Sequence, residues 1–103
     1  MGYNIAVPEI RQTEPFSAWL RSLRDPQARA RIAARIRRLA FGNPGDIRPV
    51  GEGVSELRIQ YGPGYRVYYV QRADVLVILL CGGDKSTQEG DFANAKRLAK
   101  EIE

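Results

Sequence analysis

The chain has 103 residues, 44% hydrophobic and 27% charged, with a formal net charge of +4 from 16 lysines and arginines against 12 acids. That length suits one domain spanning residues 1–103 with a single core, and no apolar run approaches the roughly 20 residues of a membrane-spanning helix. With no histidine and one cysteine, Cys81, the sequence excludes Ser-His-Asp and Cys-His catalysis, a zinc centre of the usual Cys/His kind and an internal disulfide.

The opening MGYNIAVPEIRQ has no basic stretch leading into an apolar core, so no secretory signal is expected and the cytoplasm is the expected location. EIRQT, residues 9 to 13, reads as a short strand. Thr13 with Pro15 behind it marks a helix start, and Phe16, Trp19, Leu20 and Leu23 follow as one apolar stripe at helical spacing. Asp25 and Pro26 restart the chain as N-cap and first residue of a second helix whose inner face carries Ala28, Ile32, Ile36 and Leu39. Two helices in succession predict a hairpin. Between residues 21 and 38, Arg21, Arg24, Arg29, Arg31, Arg35, Arg37 and Arg38 face a single acid, Asp25. Arg31, Arg35 and Arg38 repeat on one helix face, giving a cationic ridge that is either a solvated surface or the seat of an anionic partner.

FGNPGDIRPVGEG, residues 41 to 53, is dense in Gly, Pro, Asn and Asp and reads as a loop carrying Arg48. VSELRIQY and YRVYYVQ flank a turn at Gly62 to Gly64 and predict a hairpin; VLVILLC adds a third strand that is central or covered on both faces. This strand is expected to stop at the glycine pair Gly82 and Gly83, where Cys81 closes it as a small core residue. A last helix, starting late because of Gly90, should turn Phe92, Ala95, Ala99 and Ile102 inward. The sum is an α+β fold: an N-terminal helical hairpin packed on a three- to four-stranded antiparallel sheet, with a C-terminal helix.

Alternation along the hairpin sets Leu57 and Ile59 against Glu56, Arg58 and Gln60, and Arg66, Tyr68 and Val70 against Tyr65, Val67 and Tyr69. Burying an unpaired Arg66 costs several kcal/mol, so the arginine side is the expected open face. Arg58, Arg66 and Lys85 would then surround a shallow cleft with Tyr68 offering a ring and Gln88 and Asp91 at its rim. Such a set suits a phosphodiester flanked by bases: arginine on the oxygens of a phosphorane, lysine on the leaving oxygen, and a carboxylate or nearby base drawing the 2′-hydroxyl proton. The bland alternative is a surface web of salt bridges with little energetic consequence.

VSELRIQYGPGYRVYYV and LLCGGDKSTQEGDFANAKRLA, preceded by FSAWLRSLRDPQARARIAARIRRLAFGNPGD, resemble the addiction-module killer proteins of the RelE/ParE toxin superfamily, akin to the HigB toxins. The resemblance covers about nine-tenths of the chain. It implies the toxin of a type II toxin-antitoxin module, needing no cofactor or metal and held in an oligomeric complex by a helix-turn-helix antitoxin. RelE-type relatives cut messenger RNA on the ribosome, which maps the family's basic residues onto Arg66, Arg58 and Lys85. Near Asp91 the family often carries a tyrosine or histidine, and that departure leaves Asp91 or Glu56 as the catalytic carboxylate. RNA contacts, with ribosomal RNA among the partners, fall to Arg31, Arg35, Arg38, Arg48, Tyr68 and Gln88. Glu56 stands where such nucleases often carry a second lysine. The rival reading is a ParE-like toxin that inhibits DNA gyrase by protein contact alone.

Overall fold

In the computed structural model, which describes residues 7–102, one five-stranded sheet is covered by helices on both faces. The strands are β1 (Glu9–Gln12), β2 (Ile47–Gly51), β3 (Val54–Ile59), β4 (Tyr65–Arg72) and β5 (Leu76–Asp84), in spatial order β1-β5-β4-β3-β2. The meander β3-β4-β5 is antiparallel as expected, but the sheet is mixed and larger than expected. β1 pairs with β5 in parallel, and β2 adds a fourth antiparallel strand. That fourth strand lies inside the segment read as loop. Pro49 and Gly51 disguise it, and both are tolerable because β2 is an edge strand whose register slips between them.

Both capping assignments hold. The Thr13 hydroxyl accepts from the Phe16 amide at 3.1 Å to start α1 (Glu14–Ser22) and donates to the Leu80 carbonyl at 2.6 Å, tying the helix to β5. Asp25 accepts from the Gln27 amide at 2.9 Å and starts α2 (Pro26–Ala40). The two helices pack on the sheet over different strands, α1 on β5 and α2 on β3. Beneath them Phe16, Ile32, Leu57, Val67 and Val77 are fully buried, each such side chain contributing about 1.5–3 kcal/mol. No described helix is long and apolar enough to cross a membrane.

α3 (Gln88–Glu101) covers the opposite face, packing Ala95, Leu98 and Ala99 on Val54, Tyr68, Val70 and Leu80. A bulge opposite Tyr68 and Tyr69 turns both Leu80 and Cys81 toward α3, and burial pushes the Cys81 thiol up to about 12, that of an inert core residue. The arginine side of the hairpin is therefore open only beyond the start of α3. Tyr68 and Glu56, placed on the open face by alternation, are fully buried beneath that helix.

The glycine pair does not end β5. Gly82 and Gly83 continue it, paired with Val67 and Arg66, because each face must admit a close neighbour. A Cβ on Gly82 would fall 2.2 Å from the Trp19 ring of α1, and one on Gly83 would fall 1.8 Å from an Asp91 carboxylate oxygen of α3. One 3-10 turn (Lys85–Thr87) follows, capped by Asp84, and α3 begins at Gln88. Gly90 thus lies inside the helix instead of delaying it, and Ile102 at its far end is exposed.

Candidate functional site

The turn between β3 and β4 closes at Tyr61, Gly62, Pro63 and Gly64, with the Gly64 amide on the Tyr61 carbonyl at 3.1 Å. Gly62 (φ 57°) and Gly64 (φ 81°) adopt the left-handed backbone that a side chain would strain. The turn follows directly on the cross-strand pair Arg58 and Arg66. Asp84 caps the 3-10 turn through the Ser86 amide at 2.8 Å, which sets Lys85 against Gly64. The result is an open cleft of about 500 Å³ whose walls include Arg58, Arg66, Lys85, Asp46, Gln60 and the turn itself.

A second cleft of about 510 Å³ adjoins it, lined by Arg31, Ala34, Arg35 and Arg38 together with the same Asp46, Arg58, Ile59 and Gln60. The shared residues make the two one groove, running from Lys85 and Arg66 past Arg58 to α2. Its walls carry many cations and one carboxylate, Asp46. That carboxylate is engaged: Arg58 donates to Asp46 Oδ1 from Nε at 3.1 Å and from Nη2 at 2.6 Å. The hydrogen bond to Arg58 holds Asp46 below the ordinary carboxylate range and raises Arg58. The surface of the groove is therefore strongly positive.

The α2 ridge divides into different roles. Arg35 donates to the backbone carbonyls of Arg58 at 2.7 Å, Pro44 at 2.8 Å and Asp46 at 3.4 Å, so it fastens the segment before β2 to β3. Burial lowers its pKa. Arg31 and Arg38 are exposed, and the Arg31 guanidinium sits 4.6 Å from the Tyr61 ring centroid. Tyr61 is fixed in turn by its hydroxyl, which donates to Asp25 Oδ2 at 2.7 Å and holds that carboxyl below its ordinary value.

Arg66 is more enclosed than expected, with 12% of its side chain exposed, and its Nε lies 3.8 Å from Glu56 Oε2. Glu56 accepts from the Tyr68 hydroxyl at 3.2 Å and from Gln88 Nε2 at 2.9 Å, while Arg48 Nη2 stands 3.5 Å from its other oxygen. Tyr68, Gln88 and Arg48 thus gather around Glu56 and do not line the groove. Burial, with the Glu56 carboxylate beside it, pushes the Tyr68 hydroxyl well above the usual range, and its ring is unavailable to a base. Asp91 lies over Gly83, the register partner of Arg66, and accepts from the Thr87 hydroxyl at 2.5 Å. Desolvation raises its pKa above the ordinary carboxylate value.

Sequence reasoning placed Arg58, Arg66 and Lys85 at a cleft and Arg31, Arg35 and Arg38 on a separate ridge. The structure joins the two sets along one groove, and Asp46 and Tyr61, for which the linear pattern carries no signal, were missed. Comparison with known proteins adds two findings. The family model described as "Phage derived protein Gp49-like (DUF891)" matches residues 18–102, which include every residue of the groove. An "Uncharacterized protein" of Haemophilus influenzae is 55% identical over 94 residues, covering 91% of this chain and 95% of its own length.

Proposed function

The chain belongs to the phage-derived Gp49-like protein family, and from that membership we propose that it is the toxin of a type II toxin-antitoxin module, a ribosome-dependent messenger RNA endonuclease. The observation that carries this reading is the convergence of Arg58, Arg66 and Lys85 on one open cleft. A planar guanidinium pairs two phosphate oxygens at once, and an ammonium supplies a point charge and a proton, so the trio matches a phosphodiester passing through a phosphorane.

In the proposed reaction the 2′-oxygen bonds to phosphorus while the bond to the 5′-oxygen breaks, leaving a 2′,3′-cyclic phosphate and a 5′-hydroxyl. Arg66 and Arg58 stabilise the equatorial oxygens, and Lys85 protonates the departing 5′-oxygen. The 2′-hydroxyl proton leaves to solvent. Asp46 is made a weak base by Arg58, and Asp91 stands outside the cleft walls, so charge stabilisation supplies most of the acceleration. A ribosome that already holds its messenger in place lowers what the protein must add. Arg31 and Arg38, farther along the groove, would meet ribosomal RNA phosphates, contacts that give affinity without sequence information. A helix-turn-helix antitoxin would neutralise the protein in the cytoplasm.

The test is a map of transcript 5′ ends after induced expression in growing cells. New ends within translated frames, abolished by Arg66→Ala in a folded protein, are the expected result; loss of one such donor slows chemistry by about 10²- to 10³-fold. Intact messenger together with double-strand DNA breaks would replace this reading with gyrase inhibition.

A further inference from the structure

We propose that Glu56 is a positioning residue that presets Arg66 for an anion in the cleft, an inference that rests on the reading of the cleft given above. A carboxylate with no exposed surface is retained only where several groups compensate it, and Glu56 is held from three separate elements. Tyr68 of β4 and Gln88 of α3 both donate to Oε2, and Arg48 of β2 approaches Oε1. Its carboxylate therefore has a fixed place, decided by side chains that do not line the cleft.

Arg66 stands beside this fixed anion. Its Nε lies on the Glu56 side, buried and with no hydrogen-bond partner, while the residue lines the cleft. A guanidinium presents donors along more than one edge, so an arginine with its Nε edge turned to a buried carboxylate keeps its terminal amino groups for a ligand. The 3.8 Å separation is too long for a hydrogen bond, so Glu56 acts on Arg66 by charge. It offsets the repulsion between Arg66 and the other cleft cations and holds the side chain in one direction before any anion arrives. Such preorganisation costs no rearrangement when the ligand binds. Here the glutamate supports the neighbouring arginine, a role distinct from proton transfer.

The experiment compares the wild type, Glu56→Gln, Arg66→Ala and the double variant. Glutamine keeps the shape and can still accept from Tyr68 and Gln88, but it removes the charge. One measurement is the hydrogen exchange of the Arg66 Nε–H by side-chain NMR. The other is affinity for a single-stranded oligoribonucleotide made uncleavable by 2′-methoxy groups. In folded Glu56→Gln the exchange should accelerate by roughly tenfold or more, and affinity should fall as far as in Arg66→Ala, with no further loss in the double variant. Unchanged Arg66 exchange in folded Glu56→Gln, or losses that simply add in the double variant, would overturn the proposal. If Glu56→Gln fails to fold, Glu56→Asp draws the carboxylate back from Arg66 and carries the same exchange test, and unchanged Arg66 exchange there overturns the proposal equally. A wild type that ignores the probe would defeat the RNA reading of the cleft, while the exchange measurement would still decide whether Glu56 positions Arg66.

Discussion

Arg58 and Asp46 are joined by two hydrogen bonds onto one carboxylate oxygen, in the middle of a groove whose other charged lining residues are all cations. The pair both places Arg58 and subtracts a charge from the groove. Asp46→Asn should therefore tighten binding of an uncleavable single-stranded RNA. Every further phosphate that the groove neutralises steepens the dependence of log affinity on log salt by about 0.7, which fluorescence anisotropy across a salt series reads directly. A weaker affinity and a flatter salt dependence would mean that Asp46 matters chiefly for holding Arg58 in place.

Gly82 and Gly83 should be intolerant of a methyl group, for different reasons. Gly82→Ala drives a Cβ into the Trp19 ring, and overpacking of this kind costs about 1–3 kcal/mol. Urea unfolding followed by Trp19 fluorescence should show the lower midpoint. In Gly83→Ala the obstacle is the Asp91 carboxylate, the end of a side chain that can turn, so this variant should lose less stability while breaking the Thr87 to Asp91 hydrogen bond.

Arg35 and Arg38 share a helix face but should separate under mutation. Arg35→Ala removes three bonds to backbone carbonyls that hold the segment before β2, and a loss of roughly 1–3 kcal/mol is expected. Arg38→Ala should leave thermal unfolding nearly unchanged and weaken ribosome co-sedimentation, most clearly at low salt. Equal destabilisation by the two would contradict the division of the ridge.

Acid should unfold the protein through particular carboxylates. Asp25, Asp46 and Asp84 are all held below their ordinary value of 3.8, by hydrogen bonds from Tyr61, Arg58 and Ser86 respectively. A depressed folded value means stability that is present above 3.8 and lost as pH falls through the folded value. Asp91 is raised and runs the other way: it stabilises at low pH and loses that contribution as pH rises through its folded value. Denaturant midpoints taken from about pH 6 down to about pH 2 should decline, less steeply in Asp25→Asn and Asp46→Asn. A Gly83→Ala protein, with Asp91 displaced, should lose the opposing contribution.

Much of the architecture was legible because it depends on local chemistry. Thr13 and Asp25 cap their helices wherever those helices pack, and Leu57, Ile59 and Val67 point to one core by alternation alone. Glu56 was not legible, since alternation sends a charged residue to solvent unless something covers that face. The signal existed elsewhere: the unbroken apolar run of β5 already required a layer on both sides of the sheet, and that layer, α3, necessarily lies over Glu56 and Tyr68 as well. β2 was hidden by Pro49 and Gly51, which are poor in a central strand and harmless at an edge. The cationic trio could be found by register, whereas its carboxylate, Asp46, comes from a segment with no periodicity to read.

The parallel pairing of β1 with β5 also governs when the molecule can be assembled. Glu9 meets Leu76, and the Thr13 hydroxyl waits for the Leu80 carbonyl, so the first described strand finds its neighbour only after the whole meander exists. Contacts this far apart in sequence slow folding, because the intervening chain must be ordered before they form. During synthesis β1 is an unpaired strand for most of the chain's growth, and α1, whose capping residue Thr13 is also tied to β5, lacks that anchor over the same interval. Lys85 follows β5 directly, so the cleft cannot be completed before the meander exists, and a partly made molecule holds its arginines without the geometry to use them.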